Sequence, residues 1–169
     1  MANITLKGNP INTSGDLPAV GSSAPNFNLV AADLSEKTLA DFAGKNVIIN
    51  IVPSFDTPTC AMSVKRFNEA VGELGETVIV NVSKDLPFAQ KRFCADNSLE
   101  HITNLSAFRC NKFGEDYGIA FADGPLLGLL ARGIVVLDGE GKVTYTELTP
   151  EIADEPNYNA ALDAVKQLA

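Results

Sequence analysis

Two β-branched runs, each followed by a turn and a helical pattern, most constrain what this chain can fold into. Residues 46–52, NVIINIV, read as a buried strand, and after a proline-containing turn apolar residues recur from Cys60 at helical spacing. Residues 77–83, TVIVNVS, form a second run. Pro87 then opens a helix that continues to Cys94, because proline is well tolerated in the first helical turn. This βαβα order predicts parallel strands joined by helices.

The second half of the chain predicts a change in strand direction. A short apolar run at 102–105 and a short helical stretch at 112–117 precede an apolar strand at 133–137. Turn residues separate that strand from the alternating residues 143–146, which predicts an antiparallel hairpin, and residues 158–168 form a last amphipathic helix. The whole order predicts an α/β fold of thioredoxin-like type, with a central mixed β-sheet flanked by helices.

The N-terminus predicts a small extension to this fold. Residues 4–6 and 11–13 are separated by turn-forming residues and are expected to form a β-hairpin. The chain has 169 residues, 46% of them apolar, with no internal repeat and no linker-like run. We therefore expect a single domain over residues 1–169.

Charge and composition argue against several functional classes. A formal net charge of −8 opposes binding to nucleic acid, whose phosphates it repels. No apolar run reaches the length of a membrane helix and the N-terminus lacks a signal-peptide core, so we expect no membrane insertion and a cytoplasmic location. Three cysteines without a C-x-x-C pair, and a single histidine, argue against a disulfide scaffold and a zinc site. Neither a metal nor another cofactor is expected, since no phosphate-binding glycine loop accompanies the strands.

Cys60 lies where a buried strand gives way to a helix. The unpaired N–H groups of a helix N-terminus favour a thiolate over a thiol, so a reactive cysteine is physically reasonable there. One helix end supplies too little stabilisation for a strong nucleophile, so a further donor or cation is required. Inert packing is nevertheless the more common role of such a cysteine, and Thr57 could simply cap the helix. His101 has no local motif that would make it a partner of Cys60.

Longer motifs around these residues resemble a known family. Residues 53–60, PSFDTPTC, resemble the peroxidatic loop of peroxiredoxins, in which a proline and a threonine precede the reactive cysteine. Residues 83–94, SKDLPFAQKRFC, are similar to the resolving-cysteine helix of bacterial thiol peroxidases, which are atypical 2-Cys peroxiredoxins. Further matches extend the resemblance over nearly the whole chain: Gly21, APNF at 24–27, ADGPL at 122–126 and AR at 131–132.

The resemblance implies roles for five residues. Cys60 is implied to be the peroxidatic nucleophile, Thr57 a hydroxyl partner of thiolate and peroxide, and Pro53 a shield. Arg132 supplies the missing cation, and Cys94 is implied to be the resolving cysteine that forms an intramolecular disulfide with Cys60. A disulfide needs Cα atoms within about 7 Å, so we expect the helix ends that carry the two cysteines to unwind on oxidation.

The same resemblance implies an activity and partners. It implies a thiol-dependent peroxidase that reduces hydrogen peroxide and organic hydroperoxides, alkyl and lipid ones included, in antioxidant defence. Thioredoxin is implied as the reductant, and a homodimer as the assembly.

Two other interpretations stay open. One is a thioredoxin-like domain that has lost redox function and binds a partner, which the joint presence of the five residues opposes. The other is an oxidoreductase acting on protein disulfides, which usually needs a C-x-x-C pair.

Three residues stand outside the family pattern. Phe55 occupies an expected aliphatic position and could reshape the mouth of the pocket, and Asn26 replaces an aspartate. Cys110 lies outside the motifs and is interpreted as a buried spectator thiol.

Overall fold

The computed structural model describes residues 2–168. The strands found in these residues are β1 (Asn3–Leu6), β2 (Asn9–Asn12), β3 (Leu29–Ala31), β4 (Glu36–Lys37), β5 (Val47–Ile51), β6 (Val78–Ser83), β7 (Thr103–Ser106), β8 (Gly133–Leu137) and β9 (Val143–Leu148). The α-helices are α1 (Pro58–Ala70), α2 (Pro87–Asp96), α3 (Asn111–Asp116) and α4 (Tyr158–Lys166), and two 3₁₀ turns lie at Leu39–Phe42 and Val71–Glu73.

Seven of these strands form one mixed sheet in the order β4-β3-β7-β6-β5-β8-β9. Strands β5, β6 and β7 are parallel and are joined by α1 and α2, whereas β8 pairs antiparallel with β5 and β9 pairs antiparallel with β8. Strands β1 and β2 form a separate antiparallel pair, the predicted N-terminal hairpin. The predicted mixed sheet with its hairpin extension is therefore confirmed.

Both faces of the central sheet are covered. Alternate residues of each strand point to opposite sides, so each strand contributes side chains to both of the packed faces. One face packs on α1 and α4 through Ile48, Ile79 and Ile134. The other face, with Ile49 and Val135 near its centre, packs on α3 and the N-terminal third of the chain. Every residue of β5 and of β8 is buried, which explains why these strands read as continuous apolar runs. Each fully buried isoleucine or valine contributes about 1.5 to 3 kcal/mol.

Strands β3 and β4 were not predicted from the sequence. They have three and two residues, which are too few to show an alternating pattern. Their turn is set locally: Leu34 adopts a left-handed φ of 69°, and the Asp33 carboxylate accepts hydrogen bonds from the Ser35 N–H and hydroxyl. The apolar residues at helical spacing that begin at Cys60 continue to Leu74, but helix α1 ends at Ala70, because the chain tightens into a 3₁₀ turn at Val71–Glu73.

The carboxyl ends of two neighbouring parallel strands position the two cysteine segments. Strand β5 leads into α1, and strand β6 leads into α2. Both helices have a proline in their first turn, where a missing N–H breaks no helical hydrogen bond. None of the helices within residues 2–168 combines the length and the apolar character needed to cross a bilayer.

Candidate active site

Cys60 is the third residue of α1, and its side chain is completely covered, with 0% exposure. It belongs to a small apolar cluster with Val52, Phe55 and Val64. Thr57 occupies the N-cap position, but its hydroxyl donates to the carbonyl oxygen of Ser54 at 2.9 Å instead of accepting from the helix. Thr57 is thus not a side-chain cap, and the first-turn N–H groups of α1 keep their capacity to stabilise negative charge.

Arg132 is buried, with 1% exposure, just before β8. Its Nε and Nη2 atoms donate to the carbonyl oxygen of Ile152 at 3.2 and 3.0 Å. Its Nη1 atom has no hydrogen-bond partner in the described chain, and no carboxylate within residues 2–168 forms an ion pair with it. A buried cation in this state is costly unless an anion reaches it.

One cavity of about 220 Å³ brings three of the predicted site residues together. Pro53, Thr57 and Arg132 line it, and the rest of its wall is mostly apolar: Leu6, Pro58, Thr59, Leu126, Leu129, Ile152 and Ala153. Cys60 does not line the cavity. It lies three residues after Thr57 in the first turn of α1, inside the apolar cluster described above.

Cys94 lies elsewhere, in the second half of α2, and is half-buried. It lines a separate cavity of about 370 Å³ together with Leu99 and Ile102. Both of these side chains, and Phe93, also pack against the apolar cluster that contains Cys60. Cys60, Cys94 and Cys110 are all free thiols in this structure.

Two opposing effects act on the Cys94 thiol. Burial raises its pKa, and a hydrogen bond donated by Asn104 Nδ2 to Sγ at 2.7 Å acts in the other direction. The burial contribution is the larger one, so the neutral thiol is the favoured form at neutral pH.

Asp85, which the sequence analysis missed, ties the Cys60 loop to the start of α2. Its carboxylate accepts hydrogen bonds from Ser54 Oγ at 2.7 Å, from the Phe55 N–H at 2.8 Å and from Ser83 Oγ at 2.7 Å. Ser106 Oγ donates to the Asp85 carbonyl oxygen. The sequence feature that could have indicated this role is a single acidic residue between a buried strand and a proline that opens a helix.

A row of asparagines, also missed, crosses three parallel strands. Asn50, Asn81 and Asn104 are direct neighbours in the register of β5, β6 and β7. The side-chain amide of Asn50 donates to that of Asn81, which donates to that of Asn104, and Asn104 donates to the Cys94 sulfur. The signal was an asparagine inside each of three apolar runs, since asparagine is depleted in strands.

The residues that stand outside the family pattern do not line the cavity of Arg132. Phe55 is 2% exposed and packs edge to face on Phe93 at 5.4 Å, so it underlies Cys60 and does not reshape the pocket mouth. Cys110 is half-buried beside Asn26 and not fully buried. His101 is exposed. No group of three or more potential metal ligands from His, Cys, Asp and Glu occurs in the part of the chain that the structure describes.

Comparisons with known proteins identify the family of this chain. The Redoxin family model matches residues 19–162. A thiol peroxidase of Mycobacterium tuberculosis is 59% identical over 165 residues, which are 98% of this chain and 99% of the relative. A thiol peroxidase of Corynebacterium glutamicum is 50% identical with the same coverage.

The solved structures lead to the same family. A peroxiredoxin-like protein from Aquifex aeolicus is 41% identical with a TM-score of 0.94, covering 100% of this chain and 98% of that chain. The predicted thioredoxin-like fold and the family resemblance are thereby confirmed. Similarity of this extent shows that the chain belongs to the redoxin family, in which it is a thiol-dependent peroxidase of the thiol peroxidase group of peroxiredoxins.

Proposed function

We propose that Cys60 is the peroxidatic thiolate and that Cys94 resolves its sulfenic acid into an intramolecular disulfide. The observation that carries this proposal is the unpartnered Nη1 of buried Arg132, in an apolar cavity shared with Thr57 and Pro53. A buried guanidinium without a carboxylate calls for an anion. The reaction supplies two: the Cys60 thiolate and the oxygen that leaves when the peroxide is cleaved.

Thr57 orients the substrate. Its only hydroxyl hydrogen is donated to the Ser54 carbonyl oxygen, so the hydroxyl oxygen is left to accept from an incoming hydroperoxide O–H. Arg132 remains charged throughout because its guanidinium does not lose a proton in proteins. Pro53 offers no N–H and helps to keep water from the reacting oxygens.

The first step oxidises Cys60 and reduces the peroxide. The thiolate attacks the terminal oxygen of ROOH, the S–O bond forms and the O–O bond breaks. The alkoxide that leaves takes up a proton to give ROH, or water when the substrate is hydrogen peroxide. Cys60 becomes a sulfenic acid.

The second step joins the cysteines. The Cys94 thiolate attacks the Cys60 sulfur, the S–S bond forms, and the S–O bond breaks as hydroxide leaves and is protonated to water. Phe93, Leu99 and Ile102 pack against the cluster that encloses Cys60, and the Cys60 sulfur has no exposed surface, so the ends of both segments open first. A dithiol then returns two electrons to the disulfide, and we propose thioredoxin as that reductant.

Several finer features belong to the same proposal. The apolar wall of the cavity supports alkyl and lipid hydroperoxides as substrates besides hydrogen peroxide. Met62, Phe88 and Leu127 are each more than half exposed, and burial of such apolar side chains would favour the homodimer that we propose. A cytoplasmic location, where thiols are kept reduced, suits the chemistry. We propose one domain over residues 1–169, with Pro53, Thr57, Cys60, Cys94 and Arg132 as its working residues.

The test is to add one equivalent of a hydroperoxide to the reduced protein and map the cysteines by mass spectrometry. We expect a disulfide between Cys60 and Cys94, no peroxide consumption by Cys60→Ser, and a trapped sulfenic acid in Cys94→Ser. Cys110→Ser is the matched control and should turn over normally. Peroxide consumption that survives in Cys60→Ser contradicts the proposal.

A further inference from the structure

The row of asparagines ends on one of the two redox sulfurs. We propose that Asn104, aligned by Asn81 and Asn50 behind it, is a positioning residue that holds Cys94 and prepares its sulfur to ionise for the resolving step. This inference rests on the proposed role of Cys94 and goes beyond it, because it assigns the group that activates the second cysteine.

The row is continuous and sits inside the protein. Asn50 Nδ2 donates to Asn81 Oδ1 at 2.9 Å, Asn81 Nδ2 donates to Asn104 Oδ1 at 3.3 Å, and Asn104 Nδ2 donates to Cys94 Sγ at 2.7 Å. Asn50 and Asn81 are both 0% exposed. Buried amides need hydrogen-bond partners, so each member restrains the orientation of the next.

The direction of the row is fixed from the Cys60 side. Ser63 Oγ donates its single hydrogen to the Cys60 carbonyl oxygen at 2.9 Å, so towards Asn50 it can only accept, and Asn50 Nδ2 lies 3.3 Å away. Asn50 therefore turns its NH₂ group to both Ser63 and Asn81, and its Oδ1 atom is left without a partner in the described chain. Leaving this buried acceptor unpaired is unfavourable, which indicates that the surroundings impose the orientation.

The imposed direction brings an N–H donor to the Cys94 sulfur. Since every amide donates towards α2, the last N–H of the row meets Sγ, and a donor stabilises a thiolate more than a thiol. Burial raises the pKa of Cys94, and the bond from Asn104 counteracts that rise. Asp33, Lys37 and Lys91 also line the cavity of Cys94, but none of them is hydrogen-bonded to Sγ within residues 2–168. The amide of Asn104 is the group placed to act on this sulfur.

The experiment measures the rate of disulfide formation after sulfenic acid has formed, across a range of pH, in the wild type and in Asn104→Leu. We expect the variant to resolve about tenfold more slowly at neutral pH, with an inflection about one pH unit higher, because one pKa unit changes the thiolate fraction tenfold. The two rates should converge at alkaline pH. The rate of sulfenic acid formation at Cys60 should be unchanged, which also reports that the variant is folded.

Asn97→Leu is the matched control. Asn97 Nδ2 donates to the Phe93 carbonyl oxygen at 2.8 Å, so its loss loosens the same end of α2 without touching the sulfur. We expect this control to change the rate by one factor at every pH and to leave the inflection in place. If Asn104→Leu behaves in the same way, the asparagine is only structural and the inference is overturned.

A second variant and a second measurement keep the inference testable if Asn104→Leu does not fold. Asn81→Val removes the hydrogen bond that Asn104 Oδ1 accepts from Asn81. Because one neutral hydrogen bond to Asn104 is lost, we expect resolution to slow by about threefold. In a protein carrying Cys60→Ser and Cys110→Ser, the ultraviolet absorbance of the Cys94 thiolate should titrate at higher pH when either asparagine is replaced. An unmoved titration refutes the role of Asn104, whereas a wild type that forms no disulfide between Cys60 and Cys94 refutes the proposed function itself.

Discussion

The segment that carries Cys60 is closed and apolar, whereas the segment that carries Cys94 is half open and polar. Cys60 has no exposed surface and packs among Val52, Phe55 and Val64. Cys94 borders a cavity and accepts a hydrogen bond from an asparagine. The difference suits the proposed chemistry, in which the first cysteine keeps its nucleophile from water and the second travels to meet it.

The two segments also differ in where their electrostatic support comes from. Beside the first, the permanent cation of Arg132 lines the cavity that Pro53 and Thr57 share, and it has an unused N–H. The second has only a neutral amide, and burial keeps its thiol protonated at neutral pH. A protonated thiol reacts poorly with peroxide, so under the proposed mechanism we expect direct oxidation at Cys60 and not at Cys94.

The largest expected effect comes from removing the cation. Arg132→Met should slow sulfenic acid formation by about 10²- to 10³-fold, the usual cost of losing a donor to a developing oxyanion. Resolution by Cys94 should be unaffected once the sulfenic acid exists. Rapid-mixing kinetics separate the two steps, with Arg109→Met, which removes an exposed ion pair with Glu36, as the control. An equal loss in both steps breaks the proposed separation of the two segments.

The next largest effect tests the link between the segments. In Asp85→Asn, the weakened bonds to Ser54 and Phe55 should favour opening of both helix starts by about 2 kcal/mol, or about thirtyfold, the scale of one hydrogen bond to a charged group. Hydrogen exchange should rise at residues 54–57 and 86–90 and stay unchanged in β8. Asp116→Asn, which breaks an exposed pair with Lys112, is the control. Faster exchange at only one segment removes Asp85 as their common link.

A smaller effect is expected at the threonine. Thr57→Val keeps the shape of the side chain but loses the oxygen that accepts from the substrate, so sulfenic acid formation should slow by about tenfold. Thr57→Ser should retain most of the rate, because its hydroxyl has the same donor and acceptor capacity. Stopped-flow measurements with hydrogen peroxide distinguish the two variants. Equal rates in Thr57→Val and the wild type would leave the threonine without a role in substrate binding.

The smallest effect is expected from lowering the pH, which should loosen the structure near Cys60 and leave the Cys94 segment unchanged. Hydrogen bonds from the Thr5 hydroxyl and the Lys7 N–H lower the pKa of Glu151 from 4.5 to about 2. A lowered pKa means that the contact stabilises the fold fully above pH 4.5 and is lost as the pH falls towards 2. The hairpin of β1 and β2 should loosen over that window and disturb neighbouring Ile152, which holds Arg132. Hydrogen exchange of the hairpin against pH, with Glu151→Gln as a pH-independent control, measures it.

Much of the fold could be predicted, because the strongest elements are specified locally. Strands β5, β6 and β8 are buried runs of β-branched residues, and the prolines at 58 and 87 mark the starts of their helices. Strands β3 and β4 could not be found, since two or three residues acquire strand geometry only by pairing with β7 and with each other. The short elements are products of tertiary contact.

The candidate site divides in the same way. The sequence predicts that Cys60 lies at a helix start, but Arg132 lies 72 positions further along the chain (132 − 60), and only the fold brings it to the same segment. The asparagine row depends on the register of three strands, and a slip of one residue would turn one member to the opposite face. Register of this kind is a property of the folded sheet, so a single sequence does not show it.

The complete burial of the Cys60 sulfur also has a pharmacological consequence. A bulky alkylating compound cannot reach a thiol with no exposed surface, whereas a slim hydroperoxide needs only a small opening of the cavity wall beside Thr57. The resting enzyme should therefore survive electrophiles that inactivate proteins with surface cysteines. Inhibitors of the maleimide or chloroacetamide type should reach Cys60 only while the protein is turning over, and any labelling of the resting enzyme should fall on the half-buried Cys94 and Cys110.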